Sequence, residues 1–218
     1  MLVEDLGTMA YRDAWARQEA VHAQVVEGGA ERLLLVEHPP VITLGRRPGV
    51  NRNLMASDEA LGRLGVEVVQ SDRGGDITFH GPGQLVAYPI VRLLDHRLSV
   101  GGYVRRVQET VLAALASFGI AAQLDPEAVG VWAPLPQRGG ELAKICAIGV
   151  RIRRGVTMHG LALNVTTDLS YFNLIVPCGL VGRPVTSMRE LLKEATPGME
   201  QVKERLAEQF QKCFGDGV

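Results

Sequence analysis

The chain has 218 residues, 46% of them apolar and 22% charged, with a formal net charge of -1; that is enough to bury a core of its own and gives no polyanion-binding signal, so nucleic acid is not an expected partner. No apolar stretch approaches the roughly 18 residues of a membrane span, and acidic residues appear by position four, so neither a membrane helix nor a secretory leader is expected. Three cysteines without a C-x-x-C pair argue for reduced thiols, hence a cytoplasmic protein with one domain over 1–218.

In chain order, the spacing of Trp15, Val21, Val25 and Val26 predicts a helix over 8–26, stopped by Gly28 and Gly29. "RLLLVEH" and "VITLG" read as strands broken by Pro39 and Pro40. Ser57 caps a short helix, and "VEVVQ" and "QLVAYPIV" are strand-like. A second long helix spans 100–118, with Val104, Val107, Val111, Leu115 and Phe118 on one face and Gly119 as its stop. "GIAAQL" and "GVWAP" follow as strands, and "PLPQRGGE" as a turn. "AKICAIGVRIRR" and "VTMHGLALNV" then form a hairpin across Arg154 and Gly155. Ser187 and Glu190 make a capping box, and a last helix starts near Met199. Helices at the ends and middle with hairpin-linked strands between favour an α+β fold, with mixed, largely antiparallel sheets flanked by helices.

Three places carry chemistry. In "RGGDITFHGPGQ", Gly74-Gly75 and Gly81-Pro82-Gly83 bracket a short extended piece. An isolated glycine pair would be only a turn. Here the density of glycine beside Arg73, Thr78, His80 and Gln84 favours a loop whose backbone approaches a ligand. No G-K-[ST] follows, so it is not a Walker loop, and the glycine spacing is not a dinucleotide fingerprint either.

Lysine is scarce, with four against nineteen arginines, and only Lys144 sits in an apolar run. A buried ammonium is costly, and a lysine so placed can serve as a general base. An edge-strand lysine reaching back to water fits the same pattern equally well. Free cysteine is commonly an inert small hydrophobe, which accounts for Cys146 and Cys213. Cys178 differs, standing between Pro177 and Gly179 after an apolar run, where a nucleophile would need a base: Lys144 first, with His80 and His159 as competitors. A metal site from Cys146, Cys178, His80 and His159 ranks low because the spacings match no zinc pattern.

Taken together, "EHPPVITLGRR", "RGGDITFHGPGQLVAYP", "KICAIGVRI…MHGLALNV" and "FNLIVPCG…VTSM", in register from about Leu33 to Leu191, resemble the octanoyltransferases of lipoate synthesis (lipoyl/octanoyl transferases). The resemblance implies the α+β catalytic fold shared with lipoate- and biotin-protein ligases. It implies transfer of an octanoyl group from octanoyl-acyl carrier protein to a lysine on lipoyl domains of 2-oxoacid dehydrogenase complexes and the glycine cleavage H protein. No cofactor, metal, nucleic acid or membrane is expected to take part, and the enzyme is expected to be a monomer. By matching positions, Cys178 would hold the acyl thioester and Lys144 would activate it. Arg73, Gly74, Gly75, Asp76, Ile77, Thr78, Phe79 and His80, with Ala147, Ile148, Gly149, Gly160, Leu161 and Ala162, would line the substrate site. Cys146 stands where Ala or Ser is expected and Met188 where Leu is expected. The rival readings are an ATP-dependent lipoate or biotin ligase on the same fold, which has no need of Cys178, and a non-catalytic binder of lipoyl domains or acyl carriers.

Overall fold

The computed structural model describes residues 1–176 and 183–215. The chain opens with β1 (Leu2–Thr8), helix α1 (Tyr11–Val26), β2 (Arg32–Glu37), β3 (Val41–Leu44), α2 (Asp58–Arg63), β4 (Glu67–Gln70), β5 (Thr78–His80) and β6 (Gln84–Ile90). It continues with α3 (Val100–Ala116), β7 (Gln123–Asp125), β8 (Ala128–Leu135), β9 (Glu141–Arg153) and β10 (Val156–Asn164), and ends with α4 (Met188–Leu192) and α5 (Met199–Phe214). The strands form a seven-stranded sheet, β1-β2-β6-β10-β9-β8-β7, and a three-stranded sheet, β4-β3-β5. The β1–β2 and β3–β4 pairs are parallel and the other ladders antiparallel, so the fold is the mixed α+β type expected.

Helical spacing decides which face each helix buries. On α3, Tyr103, Val107, Val111 and Leu115 recur every four residues; on α5, Val202, Leu206, Phe210 and Phe214 do the same. Both stripes pack with Leu33, Leu85, Leu161, Leu163 and Ile145 on one face of the large sheet. Each such side chain contributes roughly 1.5–3 kcal/mol on burial. The other sheet face carries Leu34, Val36, Val86, Tyr88, Ile90 and Ala162, and α1 covers part of it with Ala14, Val21 and Val25. Beside α1 the small sheet has its own core of Ile42, Leu44, Ile77 and Phe79 with Phe172 and Ile175. Tyr11 of α1 joins Val41 and Val69 of that sheet.

The β9–β10 hairpin turns at Arg154 and Gly155, both at positive φ (53° and 77°), the two-residue turn whose twist matches its strands. Two local expectations need correction. The first helix begins at Tyr11, and the residues before it form an edge strand parallel to β2; most of that strand is exposed, so it lacks the alternation that would reveal it. At α4 the Ser187 hydroxyl does accept from the Glu190 N–H (3.2 Å), but the Glu190 carboxylate accepts from the Thr186 hydroxyl (3.0 Å) instead of completing the box. No helix among the described residues is long and apolar enough to cross a membrane.

Candidate active site

The Gly-rich loop is held by backbone on both sides. Gly74 N–H donates to Val150 O of β9 (2.9 Å), while Arg46 and Arg47 N–H donate to Arg73 O (3.1 Å) and Gly75 O (3.2 Å). Such approach leaves no room for side chains. A Cβ on Gly149 would lie 2.9 Å from Gly74 O, and one on Gly45 would lie 2.3 Å from Gly75 O. The glycines therefore serve close packing of chain on chain, and the loop's neighbours carry the polar groups.

Those groups form one buried chain of hydrogen bonds. The Arg73 guanidinium donates to the Thr43 hydroxyl (2.9 and 3.1 Å) and carbonyl (2.6 Å). The Thr43 hydroxyl donates to His80 Nε2 (3.3 Å), and His80 Nδ1–H donates to Gln84 Oε1 (2.7 Å). Gln84 Nε2 continues to Asn164 Oδ1 (2.9 Å), and Asn164 Nδ2 reaches Thr186 O (3.0 Å). Burial, then the nearby His38 and the Arg73 charge, push the His80 imidazole well below its ordinary range, so it is neutral at pH 7. Both of its nitrogens are engaged.

His159 is differently placed. Its Nε2–H donates to Asp72 Oδ1 (2.6 Å), its N–H to Gln18 Oε1 (2.8 Å), and its Nδ1 is buried with no hydrogen-bond partner. The bond from His159 is the main cause that holds the Asp72 carboxyl below its usual range. The Asp76 carboxylate, also buried, accepts from Ile77 N–H (2.7 Å), Asn53 Nδ2 (2.8 Å) and Arg47 (3.3 Å).

Lys144 owes its direction to a bulge. Opposite the step from Val131 to Trp132, β9 runs from Cys146 to Lys144, so Ile145 is an extra residue. Ile145 and Cys146 both join the core, and the phase shift leaves Lys144 on the same face as Ala147. Lys144 is only 7% exposed, and its Nζ lies 4.8 Å from the centre of the Trp132 ring. Its stem runs past Gly130, where a Cβ would stand 3.1 Å from Lys144 Cε. The β9–β10 ladder ends at Cys146 and Leu163. Beyond it, Lys144 N–H donates to Pro184 O and Lys144 O accepts from Thr186 N–H, each at 2.9 Å.

These residues surround a cavity of about 270 Å³. Of the sequence-selected set, Arg73, Gly75, Asp76, Ile77, Thr78, His80, Lys144, Ala147, Ile148, Gly149, Gly160, Leu161 and Ala162 line it. Gly74 and Phe79 do not. Gly74 is spent on β9, and Phe79 stacks on Tyr171 (4.7 Å between ring centres) in the small-sheet core. Cys178 lies outside the described residues; Val176, two positions earlier, donates its N–H to Asn53 O (2.7 Å). The wall also takes Tyr11 from α1, Val86 and Tyr88 from β6, Arg47, His159, and Glu127, Ala128 and Val129 around β8, none of them selected from sequence as wall residues. Alternation of Val86 and Tyr88 in "VAYP" was the one usable signal for them. Cys146 faces the core, with burial pushing its thiol up to about 12. Among the described residues no group of three or more His, Cys, Asp or Glu could hold a metal ion.

Residues 10–211 match the family described as lipoyl protein ligase A/B catalytic domain. An octanoyltransferase of Chloroflexus aurantiacus is 48% identical over 98% of this chain and 94% of its own length. One from Solibacter usitatus is 47% identical over 97% and 92%. Among solved structures, a bipartite lipoate protein ligase of Thermoplasma acidophilum superimposes with TM-score 0.80 at 18% identity, covering 98% of this chain and 83% of that one. A biotin protein ligase of Aquifex aeolicus gives TM-score 0.54 at 10% identity, covering 99% and 69%. At such identities the structural likeness speaks for the fold, while the sequence relatives carry the activity. The chain belongs to the lipoyl protein ligase A/B catalytic-domain family and, within it, to the octanoyltransferases, which are acyltransferases.

Proposed function

We propose that the protein moves an octanoyl group from octanoyl-acyl carrier protein to a lysine of a lipoyl domain through a thioester on Cys178, with Lys144 carrying the proton. The observation that supports this most is the setting of Lys144. The bulge turns its side chain to the cavity wall, and its backbone is bonded on both sides to 184–186, the stretch that follows Cys178 in sequence.

In the first half-reaction Lys144 takes the Cys178 proton, and the sulfur attacks the donor's thioester carbonyl. The carrier's thiolate leaves and regains the proton from the Lys144 ammonium. In the second, the target amine attacks the acyl-enzyme carbonyl, loses a proton to Lys144, and Cys178 departs as the thiolate. Thioester for thioester is nearly balanced and thioester to amide is downhill, so no ATP is consumed. An uncharged chain suits a slot with Val86, Ala147, Ile148, Leu161 and Ala162 on its wall. At about 0.8 kcal/mol per buried CH₂, octanoyl gains several kcal/mol there. We assign the reaction to the cytoplasm, consistent with the free thiols of Cys146 and Cys213.

Octanoyl-carrier and a lipoyl domain, mixed with the enzyme in ATP-free buffer, should yield octanoylated lipoyl domain by mass. A strict need for ATP would replace the transferase reading with the ligase one.

A further inference from the structure

Arg183 stands five positions after Cys178 and begins the stretch that borders Lys144. Its guanidinium is paired with the Asp125 carboxylate and sits over the Trp132 ring, 4.2 Å from the ring centre. That same ring has Lys144 Nζ 4.8 Å away. The indole is itself fixed, 1% exposed and donating from Nε1 to Ala128 O (3.1 Å). Asp125 is fixed too, accepting from Glu127 N–H (2.8 Å). That bond comes first, and Arg183 next, in holding the Asp125 carboxyl below its usual range; the Lys144 charge also contributes. One aromatic plate thus meets both the lysine and the first residue after Gly182.

We propose that Arg183, clamped between Asp125 and Trp132, is a positioning residue for acyl transfer. It holds 183–186 in register against Lys144, on the stretch that follows Cys178 in sequence. This rests on the Cys178–Lys144 reading given above. The clamp is independent of the backbone pairing it supports. Lys144 N–H to Pro184 O and Thr186 N–H to Lys144 O specify which residues face one another, and Asn164 Nδ2 to Thr186 O closes the far end. Arg183 closes the near end. A planar, permanently charged fork that both stacks and pairs suits this role better than lysine would.

The test uses the full-length enzyme with Arg183→Gln, Asp125→Asn and the double variant. Rates of acyl-adduct formation in single turnover should fall ten- to hundredfold in Arg183→Gln, the size expected of a small misplacement. KM for the octanoyl donor should stay within about twofold, because the cavity wall is untouched. Asp125→Asn should show a similar loss, and the double variant no further loss, since the two act as one clamp. Arg183→Lys, which keeps the charge, should fold normally and fall between parent and Arg183→Gln. A parental adduct rate in folded Arg183→Gln, or losses that multiply in the double variant, would overturn the proposal. So would a rate loss in both Arg183→Gln and Arg183→Lys that merely follows loss of folded protein. A parent enzyme that forms no adduct at all would instead remove the Cys178 reading beneath it.

Discussion

Lys144 and Ala147 stand three residues apart on β9 yet face the same cavity, because Ile145 is the extra residue of a bulge. Strict alternation would have sent one of them into the core. The bulge therefore does for Lys144 what a loop does for many catalytic residues, on a strand that is paired on both sides.

Lys144→Met keeps the bulk of the stem and removes the amine. Steady-state turnover should drop by about 10²–10⁴, the range for a lost general base. The melting temperature should change little, since the methionine fills the same buried volume. Turnover within tenfold of the parent would deny Lys144 its role.

Gly149→Val places a branched side chain where a single Cβ already comes within 2.9 Å of Gly74 O. The Gly-rich loop must then lift from β9, at a cost of about 1–3 kcal/mol. The donor's KM should rise several-fold, read by steady-state kinetics beside a denaturant titration. Gly149→Ala should show a smaller effect in the same direction.

Acid stability follows from two buried imidazoles. Burial lowers His38 to about 4, and His80 lies well below its ordinary range. In the unfolded chain both titrate near 6.5. Above that pH neither state binds the proton and stability is complete. As pH falls below 6.5 the unfolded chain gains protons that the folded one refuses, so stability declines until the folded imidazoles titrate. For His38 alone the loss accumulates to about 3 kcal/mol by pH 4. Melting temperatures from pH 7.5 to 4.5 should fall steadily. His38→Asn should start lower, losing the bonds to Met9 O and Tyr88, and show a shallower slope. An identical slope would show that His38 titrates normally in the folded state.

Cys146 is fully buried and its thiol is held up to about 12. Iodoacetamide at pH 8 should leave it unmodified in the native protein and label it only in denaturant, as read by peptide mass spectrometry. Early labelling of Cys146 would contradict its place in the core.

Much of the site could be read from local chemistry. Glycines at 74 and 75 beside Arg73 mark a close-approach loop, expected against a ligand and found packed on β9 and residues 45–47, and the lone apolar-run lysine marks Lys144. What could not be read comes from partners far away in sequence. Tyr11 reaches the cavity from a helix far upstream of the loop. Arg183 meets Asp125 across 58 positions, and nothing local in "GRPVTS" distinguishes that arginine from a solvated one. The direction of Lys144 was equally hidden, because the bulge at Ile145 has no Gly or Pro to announce it. Leu2–Thr8 escaped as a strand for a related reason: it pairs in parallel at a sheet edge and buries too little to leave a pattern.

The covalent relay is tested most directly by mass spectrometry of the enzyme mixed with octanoyl-carrier and no acceptor. The account predicts one octanoyl group per chain, mapped to the peptide containing Cys178 and discharged when a lipoyl domain is added. An octanoyl group that maps elsewhere, or transfer that proceeds undiminished in Cys178→Ala, would contradict it.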